Sequence, residues 1–163
     1  MGDTKLAADY PECTHGYVVS TVEYDKQDWG AVSAYNGHGY YVGIGYDANL
    51  LVDTDKANGY GNSLAHKDLN ASKSDYCAMF NATSGVVATH TAAVAAPSSA
   101  SLWYVPSYKE MLMLNENRAA VNASLTAAGG TPVAEPYESE VSWDDLRSSD
   151  WYWTSTIYGT WYA

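Results

Sequence analysis

The sequence predicts a single domain of the α+β class, in which strands near both ends of the chain flank a central group of helices. Three features predict this class. A β-prone run covers residues 15–24, a capping box begins a helix at Ser107, and an aromatic run covers residues 151–157. The 163 residues suffice to bury one hydrophobic core, so we expect residues 1–163 to form one domain.

The first half of the chain is predicted to contain two strands, a loop and a helix. Residues 15–24 combine β-branched and aromatic side chains, and residues 39–46 add glycines at about every second position, which is typical of close backbone approach. Turn-forming residues predict a loop over residues 53–62. Apolar residues at helical spacing predict a helix over residues 70–81, which Gly85 would end.

The centre of the chain carries the clearest helix signal. Residues 83–101 are mostly Ala, Ser, Thr and Val and predict a loop with one short strand or helix. Ser107 and Glu110 then form a capping box just after Pro106, which predicts a helix from Lys109 to about Asn117.

A further helix and two strands are predicted near the C-terminus. The helical pattern of residues 119–128 ends at Gly129, as glycine commonly follows the last turn of a helix. Residues 141–143 and 151–157 are predicted to be strands.

Charge and hydropathy argue against nucleic-acid binding and against membrane insertion. The chain carries 19 acidic and 8 basic residues, so its formal charge of -11 repels phosphate backbones and argues against nucleic acid. No apolar run approaches the ~20 residues that cross a bilayer, which argues against membrane insertion. Residues 1–4 have neither a basic nor an apolar character, so we expect any export signal to lie outside this chain.

Signals for catalysis and for cofactors are weak. The histidines occur singly, without ligands at metal-binding spacing, and are expected to be isolated loop or strand-end residues: His15, His38, His66 and His90. Asp53 and Asp55 are expected to lie in a solvated turn, because the glycine and glutamate of a calcium loop are absent. No nucleophile motif occurs. We therefore expect no metal, no cofactor, no catalytic residue and no enzymatic activity.

Two other sequence features leave alternatives open. Cys13 and Cys77 either form a disulfide, worth about 4 kcal/mol for so long a loop, or remain separate buried thiols. The glycosylation pattern Asn-x-Ser/Thr occurs at Asn70, Asn81 and Asn122. Chance matches are expected in a chain so rich in Asn, Ser and Thr, and the pattern alone predicts no modification.

The C-terminal segment from Trp143 to Tyr162 combines large rings with Ser, Thr and Gly. This mixture is typical of binding surfaces, where rigid amphipathic rings supply contact area and small polar residues supply adaptable hydrogen bonds. Trp151 and Tyr152 are candidate ligand-binding residues on this basis. Alternation along a strand would turn some of the rings towards the core and others towards a ligand.

The chain resembles the C-type-lectin-fold domains of bacterial surface lipoproteins and fimbrial tip proteins, related to formylglycine-generating enzymes, and the variable proteins of diversity-generating retroelements. The resemblance rests on residues 13–19, 55–58, 76–77, 103–107, 110–111, 121–125, 129–132 and 152–156. It implies small antiparallel sheets with two or three helices packed between N- and C-terminal strands. Because family members continue with further strands, a domain ending at Ala163 is expected to lack the final ones.

The resemblance also implies where a ligand would bind. In the retroelement proteins the diversified ligand face follows the Trp-x-Ser-Thr run, which here corresponds to Tyr158, Gly159, Thr160, Trp161 and Tyr162. The oxidase branch of the family needs paired cysteines near the C-terminus, and none follows Cys77.

Two functions are therefore carried forward. The first is a non-enzymatic adhesion or receptor-binding domain on a bacterial cell surface or a phage particle, with a surface protein or glycan as ligand. The alternative is a structural or assembly domain of a fimbria or lipoprotein, in which the same rings are buried by self-association or by a partner subunit.

Overall fold

The computed structural model describes residues 2–14, 16–24, 55–72, 78–134, 152 and 154–156. Within these residues the chain forms five α-helices and one 3₁₀ turn: α1 (Thr4–Asp9), α2 (Gly59–Ser72), the 3₁₀ turn (Ala78–Phe80), α3 (Val86–Ala93), α4 (Tyr108–Glu116) and α5 (Arg118–Ala127). Helix α1 packs on α2, α2 and α3 both contact the 3₁₀ turn, and α4 contacts α5.

The predicted α+β class, and with it the sheet-containing C-type lectin architecture, is wrong for the described residues, which are helical and contain no strand. Residues 16–24 of the predicted first strand form neither strand nor helix, and the chain bends at Thr21. Val18 and Val22 in this segment are 59% and 46% exposed, so their β-branched side chains lack the packing that turns β-propensity into a strand. Residues 39–46 and 141–143 lie outside the described residues.

Two helix boundaries in the first half also differ from the prediction. Helix α2 begins at Gly59, inside the predicted loop. Of the predicted helix over residues 70–81, residues 70–72 form the end of α2 and residues 78–80 form the 3₁₀ turn, whereas residues 73–77 lie outside the described residues. Gly85 does not end a helix but occupies the N-cap position of α3.

The predicted central helices are confirmed. In α4 the Ser107 side chain accepts from the backbone of Glu110, and the Glu110 side chain accepts from the backbone of Ser107, which completes the capping box. Helix α5 ends at Ala127 and is followed by Gly129, whose φ of 74° lies in the left-handed region that glycine adopts without a clash at Cβ. The Gly130 N–H then donates to the Leu125 carbonyl at 2.8 Å, as in a Schellman motif.

The interior of the described structure is unusually polar. Its buried apolar side chains are Leu6, Tyr60, Met79, Phe80, Val105 and Leu125. Alongside them lie Asp3, Asn62, Ser63, His66, His90, Ser107, Glu110, Ser155 and Thr156. Burial of a polar group without a hydrogen-bond partner lowers the stability of the fold. The hydrogen bonds of these side chains therefore restrict how the helices can be placed relative to one another.

Candidate functional site

One of the seven predicted ligand-binding residues falls within the described structure. Tyr152 is half-buried, and its hydroxyl accepts a hydrogen bond from the Ala134 N–H at 2.9 Å. Its oxygen therefore helps to hold the segment that follows α5. The other candidates lie outside the described residues: Trp151, Tyr158, Gly159, Thr160, Trp161 and Tyr162.

The residues just before the predicted ligand face are anchored in the core. Ser155 is fully buried and donates its backbone N–H to the Pro106 carbonyl at 2.7 Å. Thr156 is buried as well, and its Oγ1 accepts from the Tyr108 N–H at 3.0 Å. Residues 154–156 are thereby fixed against the N-terminal end of α4; we call them the anchor.

His66 of α2 holds the anchor from its other side. The ring is fully buried, stacks on Phe80 with centroids 4.4 Å apart, and places Nε2 3.0 Å from the Ser155 carbonyl oxygen. A carbonyl oxygen only accepts, so Nε2 carries the proton. Burial lowers the pKa of His66 to about 4, and the hydrogen bond to Ser155 opposes that shift. The imidazole is therefore neutral at pH 7.

Glu110 joins α4 to α2. Its Oε2 accepts from Ser107 N at 2.6 Å, Ser107 Oγ at 2.9 Å and Gly59 N at 3.0 Å, and its Oε1 accepts from Tyr104 Oη at 3.2 Å. The carboxylate lies at the N-terminal ends of both helices, where negative charge is favourable. Burial raises the pKa of Glu110, and these hydrogen bonds pull it back.

A raised carboxyl pKa is one property of a general acid, but Glu110 is not placed like one. The residue is 7% exposed and both of its oxygens are occupied by protein donors, which leaves no position for a substrate. Burial, and next the Glu110 charge, raise the pKa of the Tyr104 hydroxyl, so the phenol stays a donor. The role of Glu110 is therefore structural, because it connects the N-terminal ends of α4 and α2.

Exposed apolar side chains lie beside the anchor on α4. Tyr108 is 45% exposed and Leu112, one helical turn on, is 37% exposed. Because the Tyr108 backbone is bonded to Thr156, this apolar pair begins at the point where the anchor ends. Together they offer a small apolar surface next to the anchor.

Two predictions about single residues need correction or remain open. His66 and His90 were predicted to be isolated loop or strand-end residues, but both lie in helices and are buried. The ring of His90 packs edge-on against Tyr24 and Trp103. Cys13 is a half-buried free thiol that lies 3.7 Å from the Ser99 carbonyl oxygen. Cys77 lies outside the described residues, so neither alternative for the two cysteines is tested.

The described part of the chain was also searched for metal ligands and membrane spans. It brings no three His, Cys, Asp or Glu side chains together in a way that could hold a metal ion. Among the same residues, no helix has both the length and the apolar character required to cross a bilayer.

Sequence reasoning missed the main structural residues of this region. The capping box identified Ser107 and Glu110 as local partners, but not the hydrogen bond from Glu110 to Gly59, 51 residues away. The Asn58-Gly59 pair, interpreted as a turn, was the available signal, since glycine also marks close approach to another group.

None of the protein-family models, curated proteins or solved structures compared with this chain matches it.

Proposed function

We propose that this chain is a non-enzymatic binding module, exposed on a bacterial cell surface or a phage particle, that engages a surface protein or glycan. Its ligand face would comprise Trp151, Tyr152 and the residues Tyr158, Gly159, Thr160, Trp161 and Tyr162. The assignment rests on the types of these residues. Tyr and Trp bury large areas against a ligand at little cost in conformational entropy, and small residues such as Gly and Thr adjust their position and hydrogen bonds to the ligand.

The observation that supports the proposal most is the anchor. Binding residues are effective when they sit on loops positioned by a rigid scaffold. Ser155 and Thr156 are held by Pro106, Tyr108 and His66. A segment that leaves this fixed point begins beside the exposed Tyr108 and Leu112, which would extend the same apolar face.

The test is a screen of the domain against glycan and surface-protein arrays, with and without calcium. A Tyr158→Ala/Trp161→Ala/Tyr162→Ala variant should lose the hits, while Leu102→Ala, at an exposed position elsewhere, should keep them. Tyr108→Ala reports whether the face extends onto α4. Hits that survive the triple substitution would refute the assignment.

A second candidate is an assembly domain, and one observation favours it. Tyr17, Val18, Val19 and Val22 are all at least partly exposed within one segment that forms neither helix nor strand, with 37% to 59% of their surface accessible. Exposed aromatic and β-branched residues favour strands, so this segment is suited to pairing with a strand of another subunit. Light scattering over a concentration series would show self-association that Val18→Lys abolishes; a monomer at every concentration would weigh against this candidate.

A further inference from the structure

The three Asn-x-Ser/Thr sequences of this chain lie in different structural environments. Asn122 is inside α5, and both ends of its amide are used: Nδ2 donates to the Val133 carbonyl and Oδ1 accepts from the Val133 N–H, each at 2.8 Å. Asn70 is inside α2, and its pattern ends at Ser72, the last residue of that helix. Both asparagines are therefore held in regular helix.

Asn81 is half-buried and begins a turn between the 3₁₀ turn and α3 whose next three residues are exposed. Its Oδ1 accepts three hydrogen bonds, from Thr83 N at 3.0 Å, Thr83 Oγ1 at 3.0 Å and Ser84 N at 3.1 Å. Because two of these donors are backbone N–H groups, the oxygen must face the turn and the nitrogen must be the other end of the amide. No described residue accepts a hydrogen bond from Asn81 Nδ2.

The turn is also rigid on its backbone side. The Gly85 N–H donates to the Asn81 carbonyl at 3.0 Å, and a Cβ at Gly85 would come within 2.6 Å of both Asn81 N and Asn81 O. Ala82, Thr83 and Ser84 are exposed, so an enzyme can approach the asparagine and the threonine of the pattern together. The side-chain amide of Asn81 is therefore held in one orientation, in which no described residue accepts a hydrogen bond from Nδ2.

We propose that Asn81 is an acceptor site for N-linked glycosylation. In the transfer, Asn81 Nδ2 forms a bond to the anomeric carbon of a sugar nucleotide. The bond between that carbon and the diphosphate oxygen breaks, the nucleoside diphosphate leaves with the electron pair, and one Nδ2 proton passes to a base of the transferase. The three hydrogen bonds made by the Asn81 side chain all go to Oδ1, and the Gly85 N–H bonds the Asn81 backbone carbonyl, so modification of Nδ2 leaves the turn intact. This proposal does not depend on the binding function proposed above.

The experiment compares the folded protein with its own peptides, using a soluble N-glycosyltransferase and UDP-glucose and locating the added hexose by peptide mass spectrometry. In the folded protein, Asn81 should react at least about tenfold faster than Asn122 or Asn70, because those two require local unfolding of a helix. Peptides containing each sequence should show no such preference for Asn81.

Variants at the turn test whether the fast modification needs the Asn81 amide and the Thr83 hydroxyl. Asn81→Gln and Thr83→Ala should abolish the fast modification, and Thr83→Ser, which retains a hydroxyl, should preserve it; circular dichroism confirms that each variant is folded. The proposal is overturned if the folded protein is modified equally at Asn122 or Asn70. It is also overturned if Asn81 remains unmodified in the folded protein, whether or not its peptide reacts.

Discussion

The protonation of His66 differs between the folded and the unfolded chain. The ring is fully buried between Phe80 and the Ser155 carbonyl, and its pKa of about 4 lies below the value of 6.5 for an exposed histidine. Between these two values the unfolded chain binds more protons than the folded one, so stability is lost as the pH falls. The full effect amounts to about 3 kcal/mol.

We therefore predict that His66→Gln removes most of the loss of stability between pH 7 and pH 4. Guanidinium unfolding of both proteins at several pH values measures it. Glu110 acts in the opposite direction, since its raised pKa favours folding as the pH falls, so the difference between the two proteins isolates the histidine. If the unfolding free energies of the two proteins changed with pH in parallel, the pKa of His66 would be the same in the folded and the unfolded chain.

Gly59 lies where the start of α2 meets Ser107 and Glu110 at the start of α4. A Cβ at this position would overlap Glu110 Oε2 and would lie 2.7 Å from the Ser107 nitrogen. Gly59→Ala should therefore destabilise the protein by about 2–4 kcal/mol, the cost of overpacking together with a broken buried hydrogen bond. Gly2→Ala is the matched control, because its nearest neighbour would be 3.6 Å away. Equal midpoints of thermal unfolding would contradict the prediction.

At the scale of elements, α2 is held by carboxylates from outside the helix. Glu110 accepts from Gly59 N, and Asp3 accepts from Gly61 N at 2.8 Å. Asp3 is also the N-cap of α1, accepting from Lys5 N and Leu6 N at 3.0 Å each. The first turn of α2 is therefore completed by acidic groups from α4 and from the cap of α1.

Asp3 variants separate these two roles. Asp3→Asn can still cap α1 but cannot serve Gly61 with a second oxygen, so we expect a loss of about 1 kcal/mol in unfolding free energy. Asp3→Ala should lose about 2–3 kcal/mol, because the α1 cap is removed as well. Lys5→Ala, an exposed change in the same helix, is the control and should have little effect. Identical losses in both Asp3 variants would show that only one role matters.

These external caps explain which elements the sequence could predict. Helices α4 and α5 carry their own signals, the Ser107–Glu110 box and Gly129, and were predicted to within about two residues. Helix α2 starts with Gly-Tyr-Gly-Asn, a sequence of weak helix formers, and depends on partners up to 58 residues away. Helix α3 has valines and threonines without amphipathic spacing. For the candidate site, the aromatic run gave the residue types, but only tertiary contacts reveal the anchor and His66.

At the scale of the whole molecule, the net charge of -11 is the dominant property. Among the described residues, Lys5 and Asp9 form an exposed salt bridge, and an exposed pair of this kind does little to offset the repulsion among acidic groups. We predict that the midpoint of thermal unfolding rises as sodium chloride increases from about 10 mM to about 150 mM, where the screening length falls to roughly 8 Å. Differential scanning calorimetry measures it, and a falling midpoint would show that attractive pairs dominate.

The junction at Gly59 also bears on how long the protein survives chemically. In an Asn-Gly dipeptide such as Asn58-Gly59, the glycine nitrogen can attack the asparagine side-chain carbon and expel ammonia to form a succinimide, which water then opens to an isoaspartyl linkage. Here the Gly59 N–H is hydrogen-bonded to Glu110 Oε2 at the start of a helix, which restrains the peptide. We therefore expect Asn58 to deamidate more slowly in the folded chain than in a peptide of the same sequence, which the mass of the two products would show.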